Sequence, residues 1–153
     1  MKRYDLITPE GTRDLLFEGC LARRMVEDRL SKLFEGFGYS EVVTPGIEFY
    51  DLFMGSSRNF QQESLYKLTD SKGRLIVMRP DSTIPIARLA STRLKGAKLP
   101  LRLYYNQSIF ENNSLLKGRS DEVVQAGIEL IMRCYALLLK PFQALIRRTS
   151  DLR

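Results

Sequence analysis

At 153 residues, 44% apolar and 27% charged, the chain has the size and balance of one globular domain with a buried core. Its formal net charge of +6 comes from scattered basic residues, which disfavours a nucleic-acid interface, and no run reaches the roughly 18 apolar residues of a membrane span. Cys20 and Cys134 stand far apart and there is no histidine, so neither a metal site nor a disulfide framework is expected, and a cytoplasmic protein with reduced thiols is.

Residues 1–14 read as an extended lead-in, because Pro9 and Gly11 block a regular helix and no apolar stretch follows the basic start as a secretory signal requires. From Phe17 to Phe37, Leu21, Met25, Leu30, Leu33, Phe34 and Phe37 recur near helical spacing, with Arg23, Arg24, Asp28 and Lys32 on the other face. This pattern predicts a helix of about five turns, ended by Gly36 or Gly38. "YSEVVTP" follows as a short strand stopped by Pro45, and "EFYDLFMG" as a short helix. "LYKL" and "RLIVM" flank the turn-rich "TDSKG" and predict a β-hairpin.

Asp81 or Ser82 is placed to cap a helix over "TIPIARLASTRL", with Pro85 tolerated in its first turn. "LRLYYNQSIF" and "EVVQAGIELIM" read as two long strands joined by a loop over 111–121. The expected architecture is α+β, an antiparallel sheet with helices packed on it. The tail "RCYALLLKPFQALIRRTSDLR" has helical apolar density broken by Pro141 and ends basic.

Four segments in fixed order carry a resemblance. "TPEGTRDLL" (8–16), "GYSEVVTPGIE" (38–48), "YKLTDSKGRLIVMRPDST" (66–83) and "LRLYYNQSIFENNSLLKGRSDEVVQAGIE" (101–129) resemble the catalytic core of histidyl-tRNA synthetase. The second is similar to class II synthetase motif 1, the helix–strand–proline element used for dimerisation. The fourth is similar to motif 2, the strand–loop–strand that handles ATP and the acceptor end of tRNA. The resemblance implies a class II aminoacyl-tRNA synthetase-like fold over residues 1–132, present as a partial core, with 133–153 an atypical tail, helical or out of frame. A truncated or frameshifted product is the expectation for that tail, since nothing in it matches the family.

An active synthetase of this family ends the motif 2 strand with Phe-Arg-x-Glu, where the arginine binds the α-phosphate and the glutamate orients the adenine end. Here Phe110 is kept, but Glu111 stands at the arginine position and Asn113 at the glutamate position. The transition state of adenylyl transfer spreads negative charge that cations must stabilise, so a carboxylate there opposes the chemistry. No catalytic residue and no cofactor is therefore expected. The amino-acid pocket is better kept. The family contacts histidine through an "RPEGT"-like segment and a Gln-x-Gly-x-Glu segment, whose matching positions are Asp81, Thr83, Gln125 and Glu129. Strand alternation puts Gln125, Gly127 and Glu129 on one face. Asp81 and Thr83 would serve equally well as a helix cap.

A non-catalytic branch of the family has this combination: the regulatory subunits of ATP phosphoribosyltransferase. That resemblance implies a partner, the short-form catalytic subunit of the first step of histidine biosynthesis. It also implies a homodimer within a hetero-oligomer, and L-histidine as the ligand sensed. The alternatives are a residual histidine–tRNA ligase activating histidine with ATP, and a nucleic-acid-binding module, for which no concentrated basic face is evident.

Overall fold

The computed structural model describes residues 3–54, 61–113 and 120–132. Lys117 and Arg119 of the loop, Cys134 and the tail over 133–153 lie outside the described residues. Among the described residues no helix is long and apolar enough to cross a membrane.

After a lead-in with one 3-10 turn over Tyr4–Leu6, helix α1 runs over Phe17–Gly36, matching its predicted length. Its end is built as the glycine signal suggests. Gly38 takes a φ of +77°, its N–H bonds Glu35 O at 2.8 Å, and the Tyr39 N–H bonds Phe34 O at 3.1 Å. These two bonds satisfy last-turn carbonyls, and only glycine adopts that φ without a Cβ penalty. Strand β1 (Ser40–Glu41) is shorter than expected. It is followed by β2 (Ile47–Phe49), α2 (Tyr50–Met54), β3 (Lys67–Thr69), β4 (Leu75–Met78), α3 (Thr83–Thr92), β5 (Leu101–Phe110) and β6 (Glu122–Ile131).

The strands form two three-stranded sheets rather than one antiparallel sheet: β1-β5-β6 and β2-β4-β3. β1 runs parallel to β5, Ser40 against Leu103, while β5 and β6 pair antiparallel along ten positions, from Leu101 with Ile131 to Phe110 with Glu122. Pro45 and Gly46 interrupt the ladder between β1 and β2, which lets the chain leave the first sheet and join the second. Within the predicted hairpin, Leu68 pairs with Ile76.

Alternation along β5 assigns its two faces. Leu103 and Tyr105 pack with Ile131 of β6 against Ile86 and Ala90 of α3, one buried cluster. Tyr104 points the other way, with its ring 5.5 Å from that of Phe34 and its hydroxyl donating to Glu35 of α1 at 3.0 Å. The first sheet thus carries α3 on one face and α1 on the other. A second cluster, Phe53, Leu65 and Val77, fills the space under the small sheet.

The apolar stripe of α1 is only partly used. No residue of α1 is buried, and Leu21, Met25, Leu33 and Phe37 remain 49–64% exposed.

Candidate functional site

The face of the first sheet that carries α3 also carries Gln125 and Glu129, two of the four candidate residues. The register sets Gln107 opposite Gln125, Tyr105 opposite Gly127 and Leu103 opposite Glu129. The start of α3 brings Asp81 and Thr83 to the same place. Thr83 Oγ1 donates to Glu129 Oε1 at 2.8 Å, and the Tyr105 hydroxyl donates to Gln125 Oε1 at 3.4 Å. Burial holds that hydroxyl above its usual pKa, and the carboxylates of Glu129 and Asp81 push it further in the same direction. Gln125 thus bonds the phenolic oxygen, and the charges of Glu129 and Asp81 act on it.

Two carboxylates and a neutral phenol make a site suited to a cationic group, since a carboxylate–ammonium contact is charge-assisted. Asp81 has a second duty there. Its Oδ2 accepts the Ile84 N–H at 3.0 Å, so it caps α3 while lying beside the pocket.

Tyr105, which the motifs did not single out, bonds Gln125 and lies against Gly127. It is only 5% exposed, and its ring lies across Gly127, where an added Cβ would stand 2.6 Å from the phenolic oxygen. The signal available was the alternation Leu103, Tyr105, Gln107, which puts a tyrosine opposite the glycine of Gln-x-Gly-x-Glu.

A polar network joins β5 to the segment after β1 and to the start of α3. Gln107 Nε2 donates to Thr44 Oγ1 and Ser82 Oγ, both at 3.0 Å, and its Oε1 accepts the Thr44 N–H at 3.1 Å. Arg79, 4% exposed, spends its guanidinium on Thr44 O (2.7 Å), Pro45 O (3.0 Å) and Ser108 O (2.5 and 3.1 Å). This arginine of "MRPDST" is thus committed to backbone carbonyls.

Glu111 and Asn113 lie just past β5, where the hairpin loop opens. Glu111 is exposed, and its N–H bonds Asp121 O at 2.9 Å. The Asn113 carboxamide donates to Glu111 O at 3.2 Å and to Ser120 O at 3.5 Å, and its N–H reaches Asp121 Oδ1 at 3.2 Å. Both residues are engaged in closing the loop and make no hydrogen bond to Asp81, Thr83, Gln125 or Glu129. Asp121, which the motifs also passed over, is the hub of that closure. Its Oδ2 accepts the Tyr66 hydroxyl, and its N–H bonds Gly11 O at 2.7 Å. Gly11 has a φ of +77°, and a Cβ there would overlap the Asp121 side chain, so this glycine of "PEGT" is required twice over.

The family model described as "Histidyl-tRNA synthetase" matches residues 11–133. The chain belongs to the histidyl-tRNA synthetase family. It is 45% identical over 131 residues to the ATP phosphoribosyltransferase regulatory subunit of Acetivibrio thermocellus, covering 86% of this chain and 31% of that protein.

Among solved structures, one from Bacillus halodurans C is described as an ATP phosphoribosyltransferase regulatory subunit/histidyl-tRNA synthetase. It superposes with a TM-score of 0.75 at 32% identity, covering 85% of this chain and 33% of that one. The apo S. aureus histidyl-tRNA synthetase gives 0.68 at 26% identity, covering 91% and 34%. The chain spans about a third of the length of these relatives. The α+β class II synthetase-like fold expected from the motifs is the fold observed.

Proposed function

We propose that this chain acts as a non-catalytic regulatory subunit of ATP phosphoribosyltransferase in the cytoplasm. Its partner is the short-form catalytic subunit, in the first step of histidine biosynthesis, and its ligand is L-histidine, held by Asp81, Thr83, Gln125 and Glu129. The observation that carries this reading is a divergence between two halves of one family site. The four positions read here as amino-acid-binding include a Thr83–Glu129 bond and a Gln125 bond to Tyr105, whose hydroxyl also feels the charges of Glu129 and Asp81. The phosphate position holds the exposed carboxylate of Glu111, and Asn113 is tied into the loop. Removing a transition-state donor of this kind costs on the order of 10²–10³ in rate, and an anion in its place adds repulsion. A ligand site without the chemistry suits a sensor, whose task is to couple occupancy to a partner by roughly 1–3 kcal/mol.

The name carried by the 45%-identical relative supports the same reading. So does the exposed apolar stripe of α1, the motif 1 helix. Met25, Leu33 and Phe37, together with Val43 at 75% exposure, suit a homodimer within the hetero-oligomer. Co-expression with a short-form ATP phosphoribosyltransferase tests it, with complex formation, catalytic rate and inhibition by histidine as readouts. Absence of both complex and activation, where a full-length relative gives both, would refute the reading.

A second reading, a histidine–tRNA ligase-like enzyme, is favoured by the family name and by the dual description of the Bacillus halodurans structure. Histidine-dependent ATP–pyrophosphate exchange separates the two.

A further inference from the structure

From residue 3 to residue 18 the chain is exposed except at Gly11 and Thr12, which are half-buried. Around them the lead-in spans a hollow: a cavity of about 410 Å³ is lined by Tyr4, Ile7 and Pro9 of the lead-in and by Tyr66 and Asn112 of the body. The lead-in is seated at Gly11, whose carbonyl accepts the Asp121 N–H at 2.7 Å and the Ser120 hydroxyl at 3.0 Å. The seat is also steric. A Cβ on Gly11 would overlap the Asp121 carboxyl group, so the position of that carboxylate decides where the lead-in can rest.

The rest of Asp121 belongs to the mouth of the β5–β6 hairpin. Its backbone carbonyl accepts the Glu111 N–H at 2.9 Å, and its Oδ1 accepts the Asn113 N–H at 3.2 Å. Its Oδ2 accepts the hydroxyl of Tyr66, the residue just before β3. Asp121 is 9% exposed, so water does not readily replace a bond lost there.

We propose that Asp121 is a clamp through which the lead-in and the hairpin mouth open and close as one unit. Opening the mouth withdraws the Asp121 N–H from Gly11 and moves the carboxylate on which Gly11 rests. Lifting the lead-in removes the backbone that packs on this carboxylate and frees it to leave Tyr66 and Asn113. Coupling of this kind is reciprocal, so a disturbance at either end is felt at the other. The lead-in is thus a strap whose seating sets the position of Glu111 and Asn113, far along the chain.

Amide hydrogen exchange followed by NMR on the full chain tests the clamp, with wild type, Tyr66→Phe and Gly11→Ala compared. The Asp121 N–H reports on the lead-in, and the Glu111 and Asn113 N–H groups report on the mouth. The Tyr105 N–H, in the middle of β5 and paired with Gly127, reports global unfolding. In wild type the three clamp amides should share one opening, of lower free energy than that of Tyr105 and little affected by dilute urea, because it exposes little surface. Tyr66→Phe removes only the bond to the carboxylate. It should speed exchange at Asn113 and at Asp121 alike, by about three- to tenfold, the worth of one hydrogen bond. Gly11→Ala alters only the lead-in, yet should speed Glu111 and Asn113 by the same factor as Asp121. Faster exchange at Asp121 in Gly11→Ala with the mouth unchanged would overturn the clamp. So would clamp amides that follow Tyr105 with its full urea dependence, since lead-in and mouth would then have no motion of their own. Should Gly11→Ala not fold, Tyr66→Phe decides: faster exchange at Asn113 with Asp121 unchanged overturns the proposal.

Discussion

The guanidinium of Arg79 holds the carbonyl of Ser108 with two nitrogens, at 2.5 and 3.1 Å, and so fastens the end of β4 to the end of β5. The backbone repeats the link: the Phe110 N–H bonds Arg79 O at 2.8 Å, and the Arg79 N–H bonds Gly46 O at 2.9 Å. The two sheets meet at this residue. Burial pulls the Arg79 pKa down and the nearby Glu48 carboxylate pushes it back up, so the site is arranged around a buried cation.

Arg79→Lys should therefore be far from conservative. An ammonium lacks the planar fork that reaches Ser108 on one side and Thr44 and Pro45 on the other, and each buried carbonyl left bare costs about 1–3 kcal/mol. A loss of roughly 3 kcal/mol or more is expected, read as a fall in the urea midpoint. Arg93→Lys, at an exposed position, should stay within about 0.5 kcal/mol.

Gly127→Ala should destabilise by about 1–3 kcal/mol, because the new methyl would meet the Tyr105 ring at 2.7 Å from Cζ and 3.1 Å from Cε1. Tyr105→Leu alone should also cost stability. The double variant should lose less than the sum of the two, since the clash disappears with the ring. Strict additivity in urea denaturation would mean that the two residues do not contact each other.

The Tyr66–Asp121 hydrogen bond predicts an alkaline effect. That bond comes first, with burial and the Asp121 charge adding to it, and together they push the Tyr66 pKa up to about 12 from its ordinary 10.0. The folded state thus holds the phenolic proton more tightly than the unfolded chain does. The stabilisation is fully present below pH 10 and is lost as pH rises towards 12. Wild type should be more stable than Tyr66→Phe at pH 8, and the gap should close between pH 10 and 12. Comparing the two proteins cancels the titration of other groups.

Glu111→Arg should leave histidine-dependent ATP–pyrophosphate exchange at background. The cation would be restored, yet Asn113 would still stand where the family has glutamate, with its carboxamide bonded to Glu111 O and Ser120 O across the loop mouth. Appreciable exchange in this single variant would mean that the catalytic centre is closer to intact than its residues indicate.

Much of this protein was legible along the chain because the deciding forces are local. Apolar spacing and the Gly38 stop gave α1, turn chemistry gave the β3–β4 hairpin, and two long apolar runs gave β5 and β6. The ordered motifs named Asp81, Thr83, Gln125 and Glu129 as one set, and in the fold the register puts Gln125 and Glu129 on one face, with Thr83 bonded to Glu129.

Other features depended on partners distant in sequence, which no local pattern encodes. The split into two sheets follows from Pro45 and Gly46 breaking the ladder and from Arg79 bridging residues 29–35 positions away. Tyr105 came to bond Gln125 only when pairing set it against Gly127, and Asp121 became a hub only when Gly11, Tyr66 and Asn113 arrived around it. The stripe on α1 predicted amphipathicity correctly, but the sheet covers little of it, and tertiary packing alone decided which apolar residues stayed exposed. Periodicity records that a face is apolar. What that face meets is fixed by long-range packing and hydrogen bonding.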